Sequence, residues 1–296
     1  MIVLDYTNMM YFLMDNVDEF SESEAEVRAN ICNGYSNLSI VNATDLKVIY
    51  SYAFYNCSNL TTVDVPNVIS IENYSFENCH KLVNVSIPNC VNIGYGSFKN
   101  CDKLTSIDLS NVVNIGRSAF AYCTNLTTLN LSSVKNIGDT AFTSCYKITD
   151  IGNLIDVDII ESNAFSYCNR IQCVNMYYIN TVSSSAFSNC ANMTDVNILN
   201  VSNFQSDVFY NCKKISNVSV VNTSIPTYFL TDLNTVTITI NNAKTINASA
   251  FSNCNNCSIY LWNVPSNQYE NGMWELWDLG SKYLIEANGR VIATSI

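Results

Sequence analysis

The sequence predicts an α/β solenoid of about ten coils, each 22 residues long, with parallel strands on one face and short helical turns opposite. A phenylalanine followed three residues later by a cysteine recurs every 22 residues, with a single step of 23. A repeat of this length is typical of solenoids, in which each coil buries its apolar face against its neighbours. We expect the recurring residues to stack as two interior ladders, formed by Phe54, Phe76, Phe98, Phe120, Phe142, Phe165, Phe187, Phe209 and Phe251 and by Cys57, Cys79, Cys101, Cys123, Cys145, Cys168, Cys190, Cys212 and Cys254.

Residues 104–123 (LTSIDLSNVVNIGRSAFAYC) show the elements of one coil in order. The segment LTSIDL alternates apolar and polar residues, which predicts a short strand with one buried face. The segment VVNIG predicts a corner, where Gly116 and its equivalents Gly94 and Gly138 supply backbone freedom. The segment SAFAYC fits a single helical turn, because residues three apart share one helix face.

We divide the chain into an N-terminal helical cap (1–34), a repeat array (35–264) and a C-terminal cap with a hairpin (265–296). In the first cap, one helix is predicted to begin near residue 21 or 23 and to end at Gly34. In the last cap, YENGMWELWDL predicts a helix, and Asn288-Gly289 predicts the turn of the hairpin. One coil is two residues short and has Asp232 in the cysteine position, so we expect an irregular coil there.

The repeats CSNLTTVDVPNVISIENYSF and CDKLTSIDLSNVVNIGRSAF resemble the leucine-rich repeats of the BspA-like, or Treponema-type, surface proteins of bacteria and protists. The resemblance covers about residues 35 to 265. It implies a leucine-rich-repeat solenoid with a surface or adhesion role. The proline that follows the strand in the family pattern survives only at Pro66 and Pro88.

The charge distribution disfavours a nucleic-acid partner. Of the net charge of −11, residues 1–31 carry −6 and residues 265–296 carry −2. Nucleic acids and anionic membranes require clustered Lys and Arg, which this chain lacks. No segment approaches the roughly 20 apolar residues of a membrane-spanning helix, so we expect no membrane insertion.

The localisation stays open between a cell surface and a virus particle. The first residues, MIVLDYTNMMYFLMDN, lack a basic segment and include an aspartate at position 5, so this pattern does not predict a signal peptide. A surface role implied by the resemblance therefore requires a trimmed chain, leaderless export or assembly into a virus particle.

The thirteen cysteines are expected to be free thiols, most of them small buried core residues. Cys254 and Cys257 match the Cys-x-x-Cys spacing of redox and zinc sites, but no second pair supplies the remaining ligands of a tetrahedral zinc site. His80 is the one histidine, at a variable exposed position. We therefore predict no metal, no cofactor and no catalytic site.

Candidate ligand-binding residues lie on the exposed side of the predicted strands. Hydroxyl, amide and carboxylate groups there could bind a sugar or a polar protein surface, although a solubilising face is the simpler interpretation. A ridge of tyrosines near the turns, including Tyr122 and Tyr210, is a rival surface. The candidates are Asp64, Asn84, Asp108, Thr128, Asn130, Asp150, Asn175, Asp195 and Asn197, with Tyr177 and Tyr178 at a strand exit.

The leading functional hypothesis is a non-catalytic recognition or adhesion protein that binds a protein or glycan at a cell or particle surface. The alternative is a structural or decoration subunit of a phage particle, a viral particle or another large assembly. The sequence is compatible with both hypotheses.

Overall fold

The computed structural model describes residues 32–155 and 157–295, together with two short strands near the N-terminus. The chain divides into two compact units, residues 1–148 and 149–296. In both units, successive coils of about 22 residues lie side by side and their equivalent strands pair in parallel, so each unit is a β-solenoid. Within the described residues, no helix is long and apolar enough to cross a membrane.

The first unit contains two sets of parallel strands, one on each of two faces of the coils. Its strands are β1 (Ile2–Leu4), β2 (Glu26–Val27), β3 (Leu38–Asn42), β4 (Val48–Ile49), β5 (Thr62–Asp64), β6 (Ser70–Ile71), β7 (Asn84–Ser86), β8 (Asn92–Ile93), β9 (Asn114–Ile115) and β10 (Asn136–Ile137). The outer sheet has the order β1-β3-β5-β7, and the two-residue strands follow the order β10-β9-β8-β6-β4-β2.

The second unit has the same two faces but longer outer strands. Its strands are β11 (Asn153–Ile155), β12 (Ile159–Ile160), β13 (Cys173–Tyr177), β14 (Thr181–Val182), β15 (Asp195–Leu199), β16 (Asn203–Phe204), β17 (Asn217–Val221), β18 (Asn234–Asn241), β19 (Asn255–Trp262), β20 (Tyr283–Ala287) and β21 (Arg290–Ser295). The outer sheet has the order β11-β13-β15-β17-β18-β19-β20-β21, and β16-β14-β12 lie on the other face.

The predicted helical turns are wrong, because the third face of each coil is a run of β-turns. The Phe98 N–H donates to the Ala119 carbonyl of the next coil at 2.8 Å, whereas the Cys101 N–H closes a turn on the Phe98 carbonyl at 3.1 Å. An α-helix would use every amide within its own coil. Here alternate amides bind the neighbouring coil, and left-handed residues such as Asn100 (φ 60°) join the turns.

The predicted helical caps are also wrong where the structure describes them. Glu26–Val27 is a strand that pairs in parallel with Val48–Ile49 instead of lying within a helix. Residues 5–25 and 28–31 of the predicted N-terminal cap lie outside the described residues. Pairing with Val48–Ile49 satisfies backbone groups of Glu26–Val27 in the same way as in the repeats, which favours a strand over a helix there.

The C-terminal segment has two short 3₁₀ helices, Ser266–Gln268 and Met273–Trp277, in place of the predicted α-helix. Left-handed residues at Gly272 and Asp278 flank the second one, so it cannot extend into an α-helix. Trp277 is fully buried and packs edge-on against Phe251, with ring centroids 5.7 Å apart. It covers the last phenylalanine of the array.

β20 and β21 form an antiparallel hairpin at the end of the outer sheet of the second unit. Its two turn residues, Asn288 (φ 47°) and Gly289 (φ 78°), both have left-handed backbones. This is the geometry for which Asn-Gly is the preferred pair.

The phenylalanines stack in the interior as nearly parallel rings. Within the first unit, ring centroids from Phe54 to Phe142 are 5.2 Å apart between neighbouring coils. In the second unit the spacing is 5.1 Å for Phe165–Phe187 and 5.9 Å for Phe187–Phe209. Phe229, in the short coil, turns edge-on at 80° to Phe209, so the ladder is irregular at the place where the repeat falters.

Most of the ladder cysteines donate a hydrogen bond in addition to filling space. The Cys101 Sγ lies 3.3 Å from the Phe76 carbonyl of the preceding coil, and the Cys123 Sγ lies 3.1 Å from the Phe98 carbonyl. The same contact recurs at Cys79, Cys145, Cys190 and Cys212. The thiol thus satisfies a buried carbonyl that also accepts an amide from its own coil.

We expect Cys101→Ala to lower the free energy of unfolding by about 2 kcal/mol, because it removes both buried volume and a donor. Cys101→Ser keeps a donor for the Phe76 carbonyl, so we expect it to cost less. Urea denaturation monitored by circular dichroism measures both values. If the serine variant loses as much free energy of unfolding as the alanine variant, the thiol hydrogen bond contributes nothing and Cys101 stabilises the protein through its buried volume alone.

The corner glycines are required by close packing and not by backbone freedom. Gly94, Gly116 and Gly138 are absent from the left-handed glycines of the described chain. A Cβ on Gly116 would lie 2.8 Å from the backbone carbon of Gly94, and a Cβ on Gly138 would lie 2.7 Å from that of Gly116. The side-chain hydrogen of glycine therefore lets neighbouring coils approach at this corner.

Gly116→Ala is expected to destabilise the protein by about 1–3 kcal/mol, because the neighbouring backbone must move. Gly34→Ala is the control, since a Cβ there meets nothing within 4 Å and only its left-handed backbone (φ 76°) is strained. Thermal denaturation of both variants measures the difference. If Gly116→Ala lowers the thermal stability less than Gly34→Ala does, the neighbouring coils can move apart at this corner to accommodate a Cβ, and close packing does not explain the glycine.

Candidate functional site

The outward side of the outer sheet in the first unit forms a groove of about 650 Å³. It brings together all five candidates that the sequence placed in this unit, and Ser86 and Val83 also line it. We call this the outer-sheet groove. Its candidate residues are Asp64, Asn84, Asp108, Thr128 and Asn130.

Two of these side chains also have a local structural role. The Asp108 carboxylate accepts the Ser110 N–H at 3.0 Å, and the Asn130 side-chain oxygen accepts the Ser132 N–H at 3.2 Å. The equivalent residue in other coils is Pro66 or Pro88, which has no N–H to satisfy. An Asp or Asn two residues earlier therefore replaces the family proline at this bend.

The hydrogen bond at Asp108 also affects its charge. The Ser110 N–H lowers the pKa of the Asp108 carboxyl, and the Ser110 side chain adds to the effect. A lowered pKa keeps this exposed group ionised at neutral pH. The groove therefore presents a fixed negative charge at its centre.

In the second unit, three candidate residues lie in hydrogen-bonded rows along the outer sheet. The Asn197 Nδ2 donates to the Asn175 Oδ1 at 2.8 Å, and the Asn175 Nδ2 donates to the Asn153 Oδ1 at 2.8 Å. Asp195 accepts from the Asn217 Nδ2 at 2.9 Å. These polar groups support one another and stay accessible at the surface.

Asp150 caps the bend of the first coil in the second unit. Its Oδ1 accepts the Gly152 N–H at 2.8 Å, and its side chain is exposed. The bond has the same form as those of Asp108 and Asn130, but it closes a bend that precedes β11.

A row of apolar side chains runs beside the asparagines on the same outward face. Tyr177 pairs in register with Ile155 and Leu199, and Leu199 pairs with Val221. Asn241 follows Val221 in the same register, and Trp262 lies beyond it on the next strand. Ile155 is 48% exposed and Trp262 is 43% exposed. We call the five apolar residues the apolar row. Among them, only Tyr177 was predicted from the sequence.

Tyr178 occupies a left-handed position at the exit of β13, with φ 61°, and is 55% exposed. The equivalent residues at the exits of the next strands are Asn200, Asn222, Asn242 and Asn263, all left-handed. Asparagine tolerates this conformation, whereas an aromatic residue is strained in it. Tyr178 therefore differs from its equivalents at this edge, although left-handed tyrosines also occur elsewhere in the described chain, at Tyr52, Tyr74, Tyr122, Tyr167 and Tyr228.

The tyrosines near the turns do not form one surface in the first unit. Tyr95 packs against Tyr74 at 4.7 Å between ring centroids, and Arg117 lies 5.7 Å above the Tyr95 ring. Tyr122 and Tyr146 are exposed. Part of the predicted tyrosine ridge is therefore a packing ladder between coils.

The groups weighed for catalysis lie apart from both surfaces. His80 is exposed and pairs with Asp102, with 2.7 Å between Nδ1 and Oδ2. Cys254 and Cys257 are both buried. Among the described residues, no three His, Cys, Asp or Glu side chains gather in a group that could hold a metal ion.

Cys173 differs from the other cysteines, all of which the structure describes, because it alone is exposed. Burial raises the pKa of the Cys57 thiol to about 12 and raises the pKa of Cys101 well above its ordinary value. The pKa of Cys173 is raised by partial burial and then by Asp195. Its sulfur lies 3.6 Å from the Asn175 Oδ1.

We expect a maleimide to modify one thiol in the folded protein, at Cys173, and all thirteen after denaturation. Because the thiolate is the reactive form and the pKa of Cys173 is raised, labelling should accelerate as the pH rises through and beyond 9. Intact mass spectrometry with Cys173→Ser as the control measures this. Rapid labelling of a second thiol in the folded state would contradict the buried ladder.

Comparisons with known proteins agree with the repeat pattern. A family model described as a BspA type leucine rich repeat region matches in six copies, over residues 47–172 and 135–258. Comparison with curated protein sequences finds no match.

The chain is also similar to several solved structures, at low sequence identity. A leucine-rich cell surface protein from Faecalibacterium prausnitzii is 20% identical, with 89% of this chain and 83% of that chain covered and a TM-score of 0.37. A leucine-rich repeat protein from Bacteroides ovatus is 20% identical, with 82% and 79% covered and a TM-score of 0.41. The pneumococcal vaccine antigen PcpA is 13% identical, with 89% and 75% covered and a TM-score of 0.44.

Proposed function

Because the chain belongs to the BspA-type leucine-rich-repeat family, we propose that it is a non-catalytic recognition or adhesion protein that binds a protein or glycan partner at a cell surface. The outward faces of the outer sheets are the binding surfaces. The surface location follows from the family resemblance. The observation that carries the proposal is the apolar row of the second unit.

The apolar row is not needed by the core. Along β13 the inward residues Val174 and Met176 are fully buried, whereas Tyr177 points outward and is half-buried. From Ile155 to Trp262 the row crosses five strand spacings, or about 24 Å. A solubilising face would carry polar residues at every one of these positions, whereas Asn241, between Val221 and Trp262, is the single polar residue among the six.

Residue chemistry points to two positions of the apolar row, Trp262 and, at β13, Tyr177. Tyrosine and tryptophan are enriched among the residues that dominate binding energy, since they bury a large area with few rotatable bonds. Tyr177 and Tyr178 are consecutive at the end of β13 and lie beside the amide row of Asn175 and Asn197. An apolar anchor flanked by amides suits a protein partner.

Tyr177→Ser and Tyr178→Asn are expected to weaken partner binding by about tenfold or more, because each removes an anchoring ring. Tyr178→Asn introduces the residue type found at the equivalent position of the next four coils. Because asparagine tolerates the left-handed backbone, the free energy of unfolding should stay the same or rise slightly. Biolayer interferometry against a panel of purified extracellular-matrix and secreted proteins, with a glycan array in parallel, provides the measurement.

Tyr210→Asn is the control, since Tyr210 is 53% exposed on the turn face. The proposal requires that this variant bind like the unmodified protein. Equal losses in all three variants, or binding unaffected by the two changes at β13, would place the binding surface elsewhere. A folded protein that binds nothing on either panel would count against a recognition function altogether.

A further inference from the structure

The outer sheet of the first unit is open where it lines the outer-sheet groove. β5 and β7 pair in register, and the Val83 N–H donates to the Thr61 carbonyl at 2.9 Å. One coil further on, the equivalent bond from the Thr105 N–H to the Val83 carbonyl is absent. Residues 82–87 and 104–109 are all described by the structure, and no backbone hydrogen bond joins the two segments.

The opening is confined to this face of the coils. Residues 104–109 stay joined to the next coil on this face through the Thr127 N–H, which donates to the Thr105 carbonyl at 3.1 Å. On the turn face, the Phe98 N–H still reaches the Ala119 carbonyl at 2.8 Å. The coils therefore stay joined along the turns while the strands that line the groove separate.

The opening leaves backbone donors and acceptors without protein partners beside polar side chains. Backbone groups of this kind need a partner, and in an accessible groove water or a ligand supplies it. Asp64, Asn84 and Asp108 add carboxylate and amide groups around the Val83 carbonyl. Val83 itself is 37% exposed and gives the groove a small apolar patch.

Charge narrows the class of ligand. Two aspartates and no Lys, Arg or His are among the residues that line the groove. An anionic ligand would meet uncompensated carboxylates there. A ligand with many neutral hydroxyl groups would donate to the carboxylates, accept from the amides and lay its C–H face on Val83. Hydrogen bonds to an ionised oxygen are about twice as strong as those between neutral groups.

We infer that the outer-sheet groove binds a neutral saccharide, with Asp64 and Asp108 accepting from ring hydroxyls and the open strand backbone supplying further hydrogen bonds. The inference rests on the proposed recognition function and names the ligand class of one of its two surfaces. It assigns the glycan to the first unit and leaves the apolar row to a protein partner.

Asp108→Asn tests the inference without disturbing the bend. Asn130 already makes the same capping bond in the next coil, so an asparagine at position 108 keeps the Ser110 N–H satisfied. Asp45→Asn is the matched control, because Asp45 is exposed in the same unit and does not line the groove. Both changes remove one negative charge.

The probes are a glycan array with neutral, sialylated and sulfated members and a set of lysine- and arginine-rich peptides. The strongest neutral oligosaccharide is then titrated by calorimetry. We expect neutral glycans to bind, with little dependence on salt. Asp108→Asn should weaken that binding by about tenfold or more, while Asp45→Asn leaves it unchanged.

Preferential binding of sialylated or sulfated glycans, or of the basic peptides, would overturn the inference. Saccharide binding that is lost in Tyr177→Ser and kept in Asp108→Asn would move the site to the second unit and also overturn it. If no saccharide binds while the tyrosine variants still lose a protein partner, the groove inference fails and the recognition function stands.

Discussion

The hydrogen bond from a backbone amide to the carbonyl of the next coil is the constraint on which both units depend. In the turn that holds Phe98, alternate amides donate to the neighbouring coil and the others close β-turns. This pattern requires successive coils to match residue for residue. As a consequence, a side chain in a regular coil lies beside the equivalent side chain about 22 positions away. The residue type at each position must therefore pack well against another residue of the same type.

The chemistry of the repeat follows from that self-stacking. Phenylalanine rings stack as parallel plates, and asparagines such as Asn92, Asn114 and Asn136 pair because an amide both donates and accepts. Like charges at adjacent positions would repel, which favours amides over carboxylates in these rows. Cysteine suits the interior because its small side chain reaches the carbonyl of the preceding coil.

The two units differ in how completely the outer strands obey this constraint. In the second unit, β13, β15 and β17 pair over five residues each, so the backbone is satisfied. In the function that we propose, recognition on this unit therefore depends on side chains such as Tyr177. In the first unit the strand pairing stops after β7, and our inference assigns the unpaired backbone there to a ligand. One scaffold thus offers two surfaces of different chemistry.

The sequence by itself determined the coil length, the interior ladders of Phe and Cys and the family, because the spacing of residues along the chain is a covalent property. It also placed Asp64, Asn84, Asp108, Thr128 and Asn130 on one face, since alternation along a strand fixes the side on which a residue lies. The bend at Asp108 could have been inferred from the missing proline.

Only the tertiary structure decided the turn conformation, the open strands and the apolar row. The segment Ser-Ala-Phe-x-x-Cys fits a helical turn and a run of β-turns equally well, and the hydrogen bond to the next coil selects the second. Ile155, Tyr177 and Leu199 share no residue type, so their alignment emerges from strand register and not from the repeat. Register is a property of neighbouring coils together, which is why the sequence of one coil cannot specify it.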